Sequence, residues 1–250
     1  MPRRLAKAIA DAGVCSRREA ERRIEDGRVT LNGDIQTSPA INVGSADKVT
    51  VDGRPIKWQD KPLRLFAYNK PTGVVCSNTD PEGRPTVFDS LPKNTPRLVL
   101  VGRLDLNSEG LLLLTTSGEF AGELMHPKNQ ISRVYKVRFR GDLTPETVAA
   151  MAAGPEIDGV NYRPVEVKLS KTASTADKQR RANQWAEVRL YEGKNREIRK
   201  VFEHFGLQVN RLIRLSYGGV SLGDLPTGKL MELHESTAKS LQKQLTDKGK

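Results

Sequence analysis

Apolar positions recur at helical spacing twice near the start of the chain. Leu5, Ala8, Ile9 and Ala12 line one side of "RRLAKAIADAG", which predicts a short helix ended by Gly13. "SRREAERRIEDG" predicts a second, with Ser16 and Glu19 spaced as a capping box and Gly27 at the C-terminal left-handed position. The period then drops to two. "RVTLNGDIQ" alternates around Asn32-Gly33, a hairpin signal, and "DKVTVDGRPI" adds a strand and an Asp52-Gly53 turn. Residues 1–60 thus read as a small α+β unit, and "KWQDKPLRL", residues 57–65, as the linker out of it.

Residues 61–235 read as a larger α+β unit, rich in strands. "LRLFAYNKPTGVVCS" predicts strand, turn at Pro71, strand. "SGEFAGELMHP" predicts a helix with Thr116 and Glu119 as its capping box and Pro127 beyond its end. "SRVYKVRFRG", "YRPVEVKLS" and "QWAEVRLYEG" read as strands, and "LTPETVAAMAAG" as a helix with Thr144 as cap and Pro145 in its first turn. The polar stretch 170–183 reads as a mobile loop. In "NREIRKVFEHFG", Ile198, Val201, Phe202 and Phe205 form an amphipathic stripe and Gly206 ends the helix. Residues 236–250, rich in lysine with only Leu241 and Leu245 as large apolar residues, read as a flexible basic tail.

Charge narrows the range of partners. The chain has 250 residues, with 41 Lys+Arg against 30 Asp+Glu, a net charge of +11. Such an excess favours a polyanion, nucleic acid before an anionic membrane surface. No apolar run approaches the ~20 residues of a membrane span, and the N-terminus lacks the apolar core of a secretory signal. Cys15 and Cys76 are far apart and read as reduced thiols of a cytoplasmic protein; three scattered histidines make no zinc site. No segment signals self-association, so a monomer is expected.

Three stretches could carry chemistry. In "VLVGRLDLNSEGLLLLTT", residues 99–116, two apolar runs are joined by a loop holding Arg103, Asp105 and Glu109. Asp105 alone could be a turn former, a metal ligand, an ion-pair partner, a nucleophile or a base. If Arg103 shares its cleft, the carboxylate stays ionised at neutral pH. Val99–Val101 and Leu111–Leu114 could then wall the cleft. Tyr135 is either a half-buried sheet tyrosine or a platform on which a nucleobase stacks. In "EGKNREIRKVF" a helix beginning near Asn195 would put Lys194 and Arg196 at its positive end; Arg196 and Lys200 face away from the apolar stripe and Arg199 flanks it. Arg18 and Arg22, opposite the apolar face of the second helix with Arg23 on its flank, form either a solvated face or a phosphate grip.

"GRLDLNSEGLLLLTTSG" closely resembles the catalytic motif of RNA pseudouridine synthases, in the branch that modifies ribosomal RNA. "NKPTGVVCS", "SRVYKV" and "EGKNREIRKVF" match that branch's other motifs in order, and residues 3–60 resemble an RNA-binding domain shared with a small-subunit ribosomal protein. "DPEGRPTVFDSLP" is similar to the large-subunit type. The resemblance implies an α+β fold with a mixed, mainly antiparallel catalytic sheet. It implies that Asp105 is catalytic, that Tyr135 stacks on the target base, that Arg199 pairs with Asp105, and that Arg103 positions or replaces the flipped nucleotide. Arg17, Arg18, Arg22, Arg23, Lys194, Arg196 and Lys200 would bind RNA. The partner is then ribosomal RNA, most simply 23S, with no metal and no cofactor, because moving a base between two of its own atoms conserves every atom. Two other readings use the same charges: a non-catalytic ribosome-assembly protein, and a metal-dependent RNA hydrolase.

Overall fold

The computed structural model describes residues 3–58, 62–170 and 183–247. The chain forms two compact units, Met1–Pro62 and Leu63–Lys250.

The first unit contains α1 (Leu5–Asp11), α2 (Arg17–Glu25) and a small antiparallel sheet of β1 (Val29–Leu31), β2 (Asp34–Gln36), β3 (Val49–Val51) and β4 (Arg54–Pro55). Ser16 caps α2: its hydroxyl accepts the Glu19 N–H at 3.2 Å. Asn32-Gly33 and Asp52-Gly53 all take positive φ, as tight hairpin turns matching strand twist require. Leu5, Ile9, Ala20, Ile24, Val29 and Val49 fill the core. Each fully buried Leu or Ile contributes about 1.5–3 kcal/mol. Trp58 belongs to this unit, since its indole donates to the Asp47 carbonyl at 2.8 Å. Of the expected linker, residues 59–61 lie outside the described residues.

The second unit is built on β5 (Leu65–Lys70), β6 (Val99–Val101), β7 (Glu109–Thr115), α3 (Gly118–Met125), β8 (Arg133–Arg140), α4 (Pro145–Ala153), β9 (Glu166–Leu169), β10 (Gln184–Leu190), α5 (Glu197–His204), β11 (Gln208–Tyr217), β12 (Leu230–Glu232) and α6 (Glu235–Asp247). One sheet runs β9-β10-β8-β11-β7-β5-β12, with β6 beside β7. Its named strand pairs are antiparallel except β11 with β7, which run parallel for two residues, Ile213 opposite Glu109 and Arg214 opposite Gly110. A mixed, mainly antiparallel α+β fold results, as expected.

That short parallel contact needs a glycine. Gly110 sits at φ +99, and a Cβ there would lie 2.8 Å from the Arg214 nitrogen and closer still to its carbonyl oxygen. The start of β7, where the 102–108 loop ends, is thereby pressed against β11.

Three sequence expectations change here. Leu111–Leu114 do not wall a cleft; all four are fully buried within the sheet. Leu112 and Leu114 join the core beneath α4 and α5, and Leu111 and Leu113 join the one beneath α3 and α6, because a central strand covered on both faces is apolar on both. The N-cap of α3 is Ser117, one residue beyond Thr116, and it accepts the Phe120 N–H at 3.2 Å. Residues 235–247 form α6, not a flexible tail: Ala238 and Leu241 are buried in the second core, with Leu245 packed against it. Their spacing of three and four is a helical stripe, and α6 holds it on the sheet. Of the polar stretch expected as a loop, residues 171–182 lie outside the described residues.

Candidate active site

Asp105 sits in the loop between β6 and β7 and lines a cleft of about 1510 Å³ in the second unit. Arg103, Tyr135, Lys194, Arg196 and Arg214 line the same cleft, with Leu98 and Leu104 among its apolar walls.

The loop is held from behind by a buried lysine. Lys70, at the end of β5, has 0% of its surface exposed. Its ammonium donates to the carbonyl oxygens of Pro71 at 2.9 Å, Asp105 at 3.2 Å and Ser108 at 2.8 Å, with Leu106 further off at 3.5 Å. Burial pushes its pKa below the ordinary lysine value, while the nearby charges of Asp105 and Glu109 oppose the shift. The Leu104 N–H rests on the Cys76 sulfur at 3.4 Å, and the Gly73 N–H donates to Leu106 O at 2.9 Å. The Asp105 side chain is thus left 31% exposed on a backbone fixed on its inner side.

The cation that meets the carboxylate is Arg196, Nη1 to Oδ2 at 4.0 Å. One expectation is corrected by this. Arg199 makes no ion pair with Asp105: its guanidinium donates to Asn107 O and Val209 O, each at 3.1 Å, tying the loop to β11. The Asp105 charge is still near enough to oppose the burial that lowers the Arg199 pKa. Arg103 is exposed and has no ion pair among the described residues. The helix α5 also starts later than expected. Its first residue is Glu197, and Arg196 stands before it at φ 52, ψ 31, a left-handed conformation. That kink turns Arg196 toward Asp105.

Tyr135 is 8% exposed in β8, directly opposite Val188 on β10 and Arg214 on β11. Beside it lies a buried cationic cluster. Arg133 Nη2 donates to the Tyr217 hydroxyl at 3.0 Å, and that hydroxyl donates to Leu124 O at 2.8 Å. The guanidinium carbons of Arg133 and Arg214 lie 4.8 and 5.2 Å from the Tyr217 ring centre. Arg214 is 2% exposed; its Nε donates to Leu111 O at 2.6 Å while its Nη2 is buried without a partner.

The other expected RNA contacts are distributed unevenly. Lys194 is engaged by Glu192 and lies over the Tyr162 ring, 5.3 Å from its centre. Lys200 is exposed. In the first unit Arg17 pairs with Glu21 at 3.2 Å, Arg22 with Glu19 at 2.7 Å, and Arg23 with both Glu19 and Asp52 at 3.1 Å. Arg18 is exposed with no ion pair among the described residues.

The arrangement combines one anchored carboxylate, a facing cation, an aromatic ring and a cationic floor. Such a cleft suits proton transfer or attack on a sugar beside a stacked base. Comparison with known proteins decides the family. Residues 64–204 match the RNA pseudouridylate synthase family, and residues 3–49 match the S4 domain. The chain belongs to the RNA pseudouridylate synthase family. An uncharacterized RNA pseudouridine synthase of Rickettsia prowazekii is 46% identical over 97% of this synthase and 97% of its own length. Ribosomal large subunit pseudouridine synthase B of Haemophilus influenzae is 43% identical over 92% of this chain and 64% of that protein. A crystal structure of a pseudouridylate synthase aligns at a TM-score of 0.67 and 25% identity, over 95% of this chain and 99% of that one. The synthase is therefore an isomerase that acts on RNA.

Sequence reasoning singled out Asp105 and Tyr135 but gave no role to Lys70, Arg133, Glu192 or Glu197. Lys70 had a signal, its place in "NKPTG" before a preset bend. The others acquire partners only through the tertiary fold.

Proposed function

We propose that this synthase converts uridine to pseudouridine in ribosomal RNA, with 23S RNA of the large subunit as its target. It would work as a cytoplasmic monomer, and no helix among the described residues is long and apolar enough to cross a membrane. The names of the large-subunit relatives support the RNA class. The observation that carries the mechanism is the Asp105 carboxylate, fixed through its own backbone by Lys70 and sharing one cleft with Tyr135 and Arg196.

The reaction breaks the bond from ribose C1′ to uracil N1 and forms one from C1′ to C5; N1 gains a proton and C5 loses one. The uridine is first flipped out of its helix, at a cost of a few kcal/mol. Stacking on Tyr135 returns about 1–3 kcal/mol of that. Asp105 then acts as an anion, either attacking C1′ or taking the proton of the neighbouring C2′. Arg196 faces that carboxylate at 4.0 Å, and Arg199 holds the loop. The departing uracil carries negative charge, which the Arg133 and Arg214 guanidinium groups oppose in a dry floor. Leu98 and Leu104 keep water from the intermediate. Arg103, exposed at the cleft, positions or replaces the flipped nucleotide. Arg17, Arg18, Arg22 and Arg23 of the S4 domain, with Lys194 and Lys200, hold flanking phosphates, the paired arginines by exchanging carboxylate partners for phosphate.

Tritium release from 23S transcript labelled at uridine C5 tests this. Asp105→Asn is expected to bind the transcript like the parent and release no tritium. Release close to the parent rate would remove Asp105 from the chemistry.

A further inference from the structure

The outer half of the sheet has one face with no stated use. Its inner face carries Val137, Phe139, Ala186 and Val188 into the core shared with α4 and α5. Its outer face is open. Lys136, Arg138 and Arg140 of β8 alternate with the buried residues and are exposed, as is Lys168 of β9. The register puts Arg138 between Trp185 on one side and Arg211 on the other, and Lys136 opposite Glu187. Lys168 flanks Glu187 from its far side.

Some of these charges are already matched. Arg211 grips Glu109 with bonds of 2.6 and 3.0 Å, and Arg189 meets Glu166 at 3.6 Å. Arg138, Arg140 and Lys168 have no ion pair among the described residues. With Lys136 counted against Glu187, three positive charges remain uncompensated on the face. Alternate residues of a strand stand about 7 Å apart, so these charges form a row along β8 with Lys168 two strands away. The Trp185 ring is not free for a base: the Lys136 ammonium lies over it, 4.8 Å from its centre.

We propose that this open sheet face binds the phosphate backbone of an RNA helix, as a second contact apart from the catalytic cleft. Cations in a row with a covered aromatic ring read phosphates, not base faces. The surface would grip a paired segment of the RNA that carries the target uridine, so its biological role rests on the proposed substrate. The contact itself does not require that reading.

The test is the salt dependence of binding by the full chain to a fully paired RNA hairpin. Each neutralised phosphate adds about 0.7–0.9 to the slope of log affinity against log salt. The triple variant Arg138→Gln, Arg140→Gln, Lys168→Gln is expected to flatten that slope by about 2–3. A double variant Arg138→Lys, Arg140→Lys is expected to keep the parent slope, because phosphate accepts any cation. Tritium release by the triple variant at saturating enzyme is expected to equal the parent's, which reads the cleft separately. An unchanged slope in the triple variant would overturn the proposal. So would an equal flattening in the lysine variant, which would point to a shape requirement or a folding defect. Loss of tritium release from the parent chain itself would count against the reaction and not against this surface.

Discussion

The Lys70 ammonium lies 3.2 Å from the backbone oxygen of Asp105, and it is fully buried there. A lysine is rarely placed so deep without a carboxylate beside it. Here backbone carbonyls of the 105–108 loop supply the negative ends of their dipoles instead. The Asp105 carboxylate is therefore positioned by its own main chain, and its side chain remains 31% exposed in the cleft.

Replacing Lys70 by Met keeps the approximate volume and removes the donor. Three carbonyl oxygens with bonds of 3.2 Å or less lose their partner, at about 1–3 kcal/mol for each that stays buried. Relief from burying a charge offsets part of this, so a net loss of about 2–4 kcal/mol is expected in urea unfolding. The loop would also drift, and a displacement near 1 Å can cost about 100-fold in rate. Single-turnover tritium release would read that loss. A Lys70→Met enzyme with parental rate would show that the loop holds itself.

Arg196 pays for its place beside Asp105 with a strained backbone. A residue bearing a Cβ at φ 52 costs about 1–2 kcal/mol relative to the right-handed region, and glycine avoids that. Its ion pair, 4.0 Å long and half exposed on the arginine side, contributes little to stability. Arg196→Gly is thus expected to raise stability by about 0.5–1 kcal/mol, after the greater chain entropy of glycine is set against the strain. It is expected to lower the rate about tenfold, because the Asp105 anion loses its facing charge. Thermal melts and tritium release on the same preparation check both signs. A variant both less stable and fully active would mean that the kink serves neither.

The sequence was most legible where local rules decide structure. Ser16 with Glu19, Asn32-Gly33 and Thr144-Pro145 predict a cap, a hairpin and a helix start, and each forms where expected. Asp105 and Tyr135 were legible because they stand in long motifs, and the fold brings both to one cleft. The partners of the site were not legible. Whether Arg196 or Arg199 meets Asp105 depends on a single left-handed residue before α5, which no composition rule predicts at an arginine. Leu111–Leu114 look the same in sequence whether they wall a pocket or fill a strand covered on both sides. The α6 stripe of Ala238, Leu241 and Leu245 is visible in the sequence, but so is its lysine-rich setting; only the core it shares with α3 and the sheet shows where it packs.

Glu197 gives the fold a dependence on pH that can be worked out in sign. The residue is 3% exposed, and burial pushes its pKa from an ordinary 4.5 to about 7. The Lys194 N–H, donating at 2.9 Å, and the charges of Lys194 and Arg133 pull it down; the Glu192 carboxylate pushes it up. In the unfolded chain the same group ionises near 4.5. Folding therefore takes up a proton between these values. The stability associated with the neutral form is fully present below pH 4.5 and is lost as pH rises through about 7. At 1.36 kcal/mol per unit, the cost at pH 8 is about 3 kcal/mol. Glu197→Gln keeps an oxygen for the Lys194 N–H and cannot ionise. It is expected to exceed the parent by about 3 kcal/mol in urea unfolding at pH 8, and by little at pH 4.5. Measuring both proteins at each pH cancels the titration of every other group. A gap that stays constant across this range would show that Glu197 is ionised in the folded protein, with its unpartnered oxygen compensated by the Lys194 and Arg133 charges.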